Sequence, residues 1–201
     1  MGQDKAHLPW GAHSLLEHVV EGLRSVTDEV IIVGKDARRF AHIRARIVED
    51  RVADAHALGG VYTGLLAASQ DACFICGCDM PFLSNAIIRY LAAQAEGVDW
   101  VVPETSDGIQ PLHAIYRKSS LAAIEQALQE QRWELHRLAA VLKTKIVGEE
   151  ALRELDPSGH SFFNINTLAD YERAGALQSM VVVWETCCLS QEGWCRSHAS
   201  C

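Results

Sequence analysis

Ala72-Cys73-Phe74-Ile75-Cys76-Gly77-Cys78-Asp79-Met80-Pro81-Phe82-Leu83-Ser84 is the stretch that decides the fold. It opens as a short apolar run without helical spacing, the pattern of a strand buried on both faces. It breaks on one carboxylate, Asp79, and then on Pro81, ahead of a helix that Ser84 can cap. Ile87, Ile88, Leu91, Ala92 and Ala95 follow at helical spacing, and Gly97 closes the segment. Asp79 thus falls just past the carboxyl end of a buried strand, where open α/β sheets bind ligands. A lone carboxylate there suits a magnesium ion that keeps several waters and takes other ligands from substrate phosphates. On the residues alone, a cap for the following helix explains Asp79 as well.

Working outward, the upstream residues 1–13 read as a loop, and Ser14 with Glu17 forms a capping box. Leu15, Leu16, Val19, Val20 and Leu23 are the buried stripe of the helix it starts. Val30-Ile31-Ile32-Val33, ended by Gly34, reads as a buried strand. A polar helical stretch around Arg38–Arg44 leads to a second strand at Ala45–Val48, which ends on Glu49-Asp50. Asp54 to Gly60 reads as a flexible turn opening a helix through Ala68, with Gly59 and Gly60 allowing close approach of backbone to a ligand.

Downstream, Trp100–Pro103 and Leu112–Arg117 read as strands, and Ser119–Gln129 and Leu135–Leu142 as helices. Lys145–Val147 is short and extended. A turn at Asp156–Gly159 leads to a strand carrying Asn164 and Asn166 on one side, and a last helix runs from Thr167 to about Leu177. This alternation predicts a three-layer α/β architecture, a sheet with helices on both faces. There is no internal repeat, low-complexity tract or linker, so residues 1–178 read as one domain. Residues 179–201 lose all periodicity after Val181–Trp184 and read as an irregular, cysteine-rich appendage.

A length of 201 residues suffices for one full core, and 49% hydrophobic with 22% charged residues is ordinary for a globular protein. No apolar run approaches the roughly 20 residues of a membrane helix, and no signal-peptide core opens the chain. A formal charge of −8 argues against nucleic acid as a general partner but leaves phosphorylated small substrates open. Seven cysteines, an odd number, fit reduced thiols in a cytoplasmic protein. Cys73, Cys76 and Cys78 read as small buried groups. Cys187, Cys188, Cys195 and His198 do not match paired zinc-knuckle spacing.

Six pieces occur in a telling order: Met1-Gly2-x-Asp4-Lys5, Val48-Glu49-Asp50, Leu58-Gly59-Gly60, Cys78-Asp79-Met80-Pro81-Phe82, Pro111-Leu112-His113-Ala114 and Phe163-Asn164-Ile165-Asn166-Thr167. In this the chain resembles the molybdenum cofactor guanylyltransferases, nucleotidyltransferases of Rossmann-like fold, over about residues 1–177. The resemblance implies transfer of GMP from GTP to molybdopterin with release of pyrophosphate. By the same resemblance Asp79 holds Mg2+, and Lys5 meets the GTP phosphates. It places Asp50 in contact with GTP and Gly60 as a backbone neighbour of the nucleotide. It also assigns Asn164 and Asn166 to the pterin or its phosphate. Proteins that deliver or accept the molybdenum cofactor are the partners it implies. Lys5 and the two asparagines, on distant elements, are expected to serve different substrates. His113 is expected to be structural.

The family carries a first strand and a glycine-rich loop, roughly L-A-G-G-x-S-x-R, directly before the Met-Gly at which this sequence starts. The expectation is a natural start about twenty residues upstream, and otherwise a slot between strands where that central strand would lie. Val33 stands where some relatives place an Asn that contacts nucleotide. The residues also admit a cytidylyltransferase for the same cofactor, a sugar-1-phosphate nucleotidyltransferase, or a non-catalytic truncated member.

Overall fold

The computed structural model describes residues 5–52 and 55–177. The cysteine-rich appendage at 179–201, with its four cysteines, lies outside the described residues, as do residues 1–4 and Asp54. Where a loop was expected at the start, a 3-10 turn at Lys5–His7 leads into a two-stranded hairpin, β1 (Pro9–Trp10) with β2 (His13–Ser14). Gly11, at φ 61, supplies the left-handed residue that the reversal requires. Helix α1 (Leu15–Arg24) begins at the predicted capping box: Ser14 Oγ accepts from Glu17 N, and the Glu17 carboxylate accepts from Ser14 N at 2.7 Å. Leu15, Leu16, Val19 and Val20 are buried.

Strands β3 (Ile31–Gly34) and β4 (Arg46–Glu49) pair in parallel as a sheet of their own. The helix expected at Arg38–Arg44 is only a 3-10 turn at Ala37–Phe40, because the chain must return to start β4 within a few residues. Helix α2 (His56–Ala67) contains Gly59 and Gly60, which were expected in a turn. Packing overrides glycine's poor helix propensity at the first of them. A Cβ on Gly59 would sit 3.0 Å from Ala55 Cβ and 3.1 Å from Val52 O.

The second sheet holds β5 (Ala72–Cys76), β6 (Trp100–Thr105), β7 (Gly108–Ile109), β8 (His113–Arg117) and β9 (Thr144–Val147), in the order β5-β8-β6-β7 with β9 also on β6. Strand β8 runs antiparallel to both β5 and β6, while β9 is parallel to β6. Alternation along the strands sorts the core. Trp100, Val102, Ala114 and Tyr116 pack under α2 and α4 (Leu121–Gln129). Val101, Ile115 and Val147 pack under α3 (Asn85–Ala93) and α5 (Glu149–Leu155). Helices therefore cover both faces of this sheet, as expected of a three-layer α/β fold.

Among the described residues the two sheets do not join: β3 pairs with β4 and β5 with β8, and a cavity of about 790 Å³ lies between β3 and β5. Its walls include Ile31 and Val33 of β3, Phe74 and Cys76 of β5, and Val20 of α1. Leu135–Leu142 is 3-10 rather than α-helical and stops at Ala140. Residues 163–166, expected as a strand, have no regular secondary structure, and Ile165 N donates to Asp79 O, just past the end of β5, at 2.9 Å. Residues 168–177 form the final helix. Among the described residues no helix is long and apolar enough to cross a membrane.

Candidate active site

The β5 strand ends at Cys76, and Gly77 and Cys78 carry the chain into Asp79, over the end of the larger sheet. A Cβ on Gly77 would crowd Asp79 Oδ1, so the carboxylate in its present place, folded back over the strand end, makes use of the glycine. Met80 is buried directly behind. Helix α3 then starts on Ser84, whose Oγ accepts from Ile87 N. Ser84 fills the cap position, so capping is not the task of Asp79.

The Asp79 carboxylate meets the other end of the chain. Lys5 Nζ donates to Asp79 Oδ2 at 3.0 Å and to Asn166 Oδ1 at 2.6 Å. These partners lie 74 and 161 positions away in sequence. The expected separation of Lys5 from the asparagines therefore fails for Asn166: Lys5, Asp79 and Asn166 form one cluster. The side chains of Lys5 and Asp79 are 30% and 22% exposed, so both can be reached by a ligand.

Aromatic packing holds the cluster together. Trp10 is buried with Leu15, Ile165 and Ala174, its ring 5.9 Å from Phe82 and 6.1 Å from Tyr171. Tyr171 Oη donates to Pro9 O, and Leu15 N donates to Leu8 O at 2.8 Å. These ties clamp the β1–β2 hairpin between α1 and the helix at 168–177, and so deliver Lys5 to the strand end. His18 Nε2 lies 2.9 Å from Pro81 O and closes the other side.

Asn164 is placed differently from its neighbour. Its Nδ2 donates to Phe162 O at 3.4 Å, while buried Ile165 between the asparagines packs into the core. Asp50 stands on the smaller sheet, past β4. Its Oδ1 accepts from Thr63 Oγ1 and from Val52 N, both at 3.1 Å, and its own N–H donates to Gly34 O. Gly60 lies in the second turn of α2, where helical geometry commits its N–H to the backbone ladder; it contributes an open Cα face to the cavity.

The ionisation pattern beneath the cluster is that of a core. Burial first, then the neighbouring Cys78 and Asp79, pushes the Cys76 thiol up to about 12. His113, opposite Cys76 in the β5–β8 pair, is fully buried against the rings of Phe74 and Phe162, and burial pushes it down to about 3. It packs as a neutral ring, in keeping with the structural role expected of it. Gly77 is a contributor that sequence reasoning passed over, although it lay in the quoted stretch.

Three comparisons bear on this site. The sequence profile of the MobA-like NTP transferase domain matches residues 1–147. A probable molybdenum cofactor guanylyltransferase of Pelotomaculum thermopropionicum is 34% identical over 174 residues, 87% of this chain and 85% of that protein. The molybdenum cofactor guanylyltransferase of Desulfosudis oleivorans is 32% identical over 176 residues, 87% of each. Among solved structures, molybdopterin-guanine dinucleotide biosynthesis protein A of Archaeoglobus fulgidus superposes with a TM-score of 0.77 at 24% identity, covering 89% of this chain and 92% of that one.

Proposed function

The chain belongs to the MobA-like NTP transferase family, and from that premise we propose that it transfers GMP from GTP to the terminal phosphate of molybdopterin, releasing pyrophosphate. The observation that carries the reading is the Lys5–Asp79–Asn166 cluster at the carboxyl end of β5. It offers one cation within hydrogen-bond reach of one anion and one amide, on a site open to solvent. Joining a phosphate monoester to a nucleoside triphosphate brings anions together, so the task is charge cancellation and alignment.

The donor set fits a divalent cation of the magnesium type. The cluster supplies one carboxylate, Asp79, and among the described residues no group of three or more His, Cys, Asp or Glu is placed to hold a metal ion. Magnesium favours one or two carboxylates, several waters and substrate phosphates over a full protein cage. Asp79 would hold it, and when bound it neutralises charge on the phosphates. Lys5 shifts its ammonium onto phosphate oxygens when they displace its present partners. Asn166 and Asn164 face the acceptor, and Asp50 and the Gly60 backbone the nucleotide.

Titration calorimetry with GTP and CTP, together with a pyrophosphate-release assay on molybdopterin, tests the reading. GTP should bind at least about tenfold more tightly than CTP. Release should need both molybdopterin and a divalent cation, and stop with a chelator. Equal or tighter binding of CTP would replace guanylyl with cytidylyl transfer. Binding of neither nucleotide would favour a non-catalytic member.

A further inference from the structure

The helix at 168–177 starts on a network centred on one carboxylate. Asp170 Oδ2 accepts from Asn166 N at 3.2 Å, Thr167 N at 2.9 Å and Thr167 Oγ1 at 2.8 Å. Thr167 Oγ1 in turn accepts from Asp170 N at 3.1 Å. Thr167 and Asp170 thus cap each other's backbone, the reciprocal arrangement that ordinarily uses Glu or Gln at the latter place. The third donor is the unusual one. Asn166 precedes the cap residue, and its N–H points onto the same oxygen that holds Thr167. Asn166 is the residue whose side chain accepts from Lys5.

The other oxygen is engaged too. Arg173 Nη2 donates to Asp170 Oδ1 at 3.0 Å, and the Arg173 guanidinium lies 4.8 Å from the centre of the Phe163 ring. Phe163 stands one residue before Asn164 and contacts the Phe82 ring at 6.1 Å. Residues 163 and 166–167 are therefore tied to this helix, the first through Arg173 and the others through Asp170 directly. The hydrogen bonds from Thr167 above all, with Arg173 adding, hold the Asp170 carboxyl below its usual range, so it is charged at neutral pH.

We propose that Asp170 is a positioning residue for the acceptor end of the site, fixing the 166–167 backbone so that Asn166 stands on Lys5. Asp170 does not touch the reacting groups; it acts through Asn166. The proposal rests on the transfer reading above, and its expected signature is selective. Losing the carboxylate frees the Asn166 amide, while Asp79 continues to hold Lys5 from the sheet side.

The test compares Asp170→Ala and Asp170→Glu in the full chain. The alanine variant should raise the KM for molybdopterin about fivefold to tenfold, with kcat and the GTP Kd each within about twofold of the parent. The Glu variant, able to rebuild the reciprocal cap, should recover most of that loss. Parallel rises in the GTP Kd and the acceptor KM would overturn the proposal. A lower Tm with an unchanged KM would overturn it as well, leaving only a helix cap. A readout free of turnover is the Asn166 side-chain amide resonance in a proton–nitrogen correlation spectrum, assigned through Asn166→Ala. It should move in Asp170→Ala and return in Asp170→Glu. If the parent transfers nothing, the transfer reading fails while this resonance still decides whether Asp170 places Asn166; an unmoved resonance overturns the proposal.

Discussion

On the β5-β8-β6-β9 side, helices lie on both faces and the buried residues alternate between two clusters centred on Trp100 and on Val101. Among the described residues β3 and β4 pair only with each other, and β3 borders the 790 Å³ cavity. The groups attributed to the site divide between these regions. Asp79 projects from the end of the larger sheet, whereas Asp50 follows the smaller one and Gly60 lies on α2, which packs against both. Local opening follows local packing, so the smaller sheet should open at lower free energy than the larger one. On the proposed assignment, the difference would put metal-directed chemistry on the better-packed half and the nucleotide side on the half that borders the cavity.

The sharpest cut is at Asp79. Asp79→Asn should lower kcat about 10³-fold, the order expected when several kcal/mol of metal-linked stabilisation is lost. Its Tm should stay close to the parent, because the carboxylate lies at a partly exposed strand end rather than in the core. Turnover near the parental rate at saturating divalent cation would remove Asp79 from the chemistry and dissolve the proposed division of labour.

The two halves can next be compared by matched truncations. Ile115 is 3% exposed in the middle of the larger sheet, and Ile31 lines the cavity. Ile115→Ala should cost about 2–5 kcal/mol in urea unfolding, as for a well-packed core site. Ile31→Ala already faces a void and should cost about half as much or less, on the same scale of lost contacts. Equal losses would mean that the cavity does not loosen β3.

Much of this architecture was legible because its signals are local. The Ser14–Glu17 box, the Ser84 cap, the 72–76 strand and the alternation at 100–103 each lie within a few residues. Asp79 was legible by position, as a lone carboxylate just past the end of the apolar run at 72–76. What escaped is tertiary. Nothing in a window of sequence announces that Lys5 will bond Asn166 across 161 positions, since the hairpin and the Trp10 cluster bring them together. Gly59 and Gly60 read as a turn because glycine is a poor helix former, and only the contact with Val52 and Ala55 shows why a helix accepts one. Residues 163–166 alternate like a strand while pairing with a single carbonyl of Asp79, a distinction that periodicity does not carry.

Acid should act on the larger half through His113. Its folded value, about 3, lies below its ordinary 6.5, so the unfolded chain takes up the proton first. This contribution is intact above about pH 6.5 and is lost as pH falls from there toward 3, at up to about 1.4 kcal/mol per pH unit. The parent should lose stability between pH 6 and pH 4, approximately the window set by these two values, and His113→Phe should flatten that slope. Denaturant melts at several pH values check it, and an unchanged slope in the variant would show that other groups dominate.

The smallest effect tests the other half at two adjacent glycines. A Cβ at Gly59 would crowd Ala55 Cβ at 3.0 Å and backbone Val52 O at 3.1 Å, and the backbone cannot swing away as a side-chain tip can. Gly59→Ala should therefore destabilise by about 1–3 kcal/mol. At Gly60 a Cβ would meet nothing within 4 Å, and the residue lies inside α2. Gly60→Ala should stabilise by about 0.4–1 kcal/mol, because alanine gives up less chain entropy on folding and prefers the helix. The same open Cα face borders the cavity between the sheets. If the nucleotide rests against it, the added methyl group should weaken GTP about tenfold or more, near the lower bound for one misplaced methyl or methylene group. Urea melts and GTP calorimetry on one preparation separate the two effects. A variant that gains stability at undiminished GTP affinity would take Gly60 out of the nucleotide site and leave Asp50 to represent the smaller sheet there.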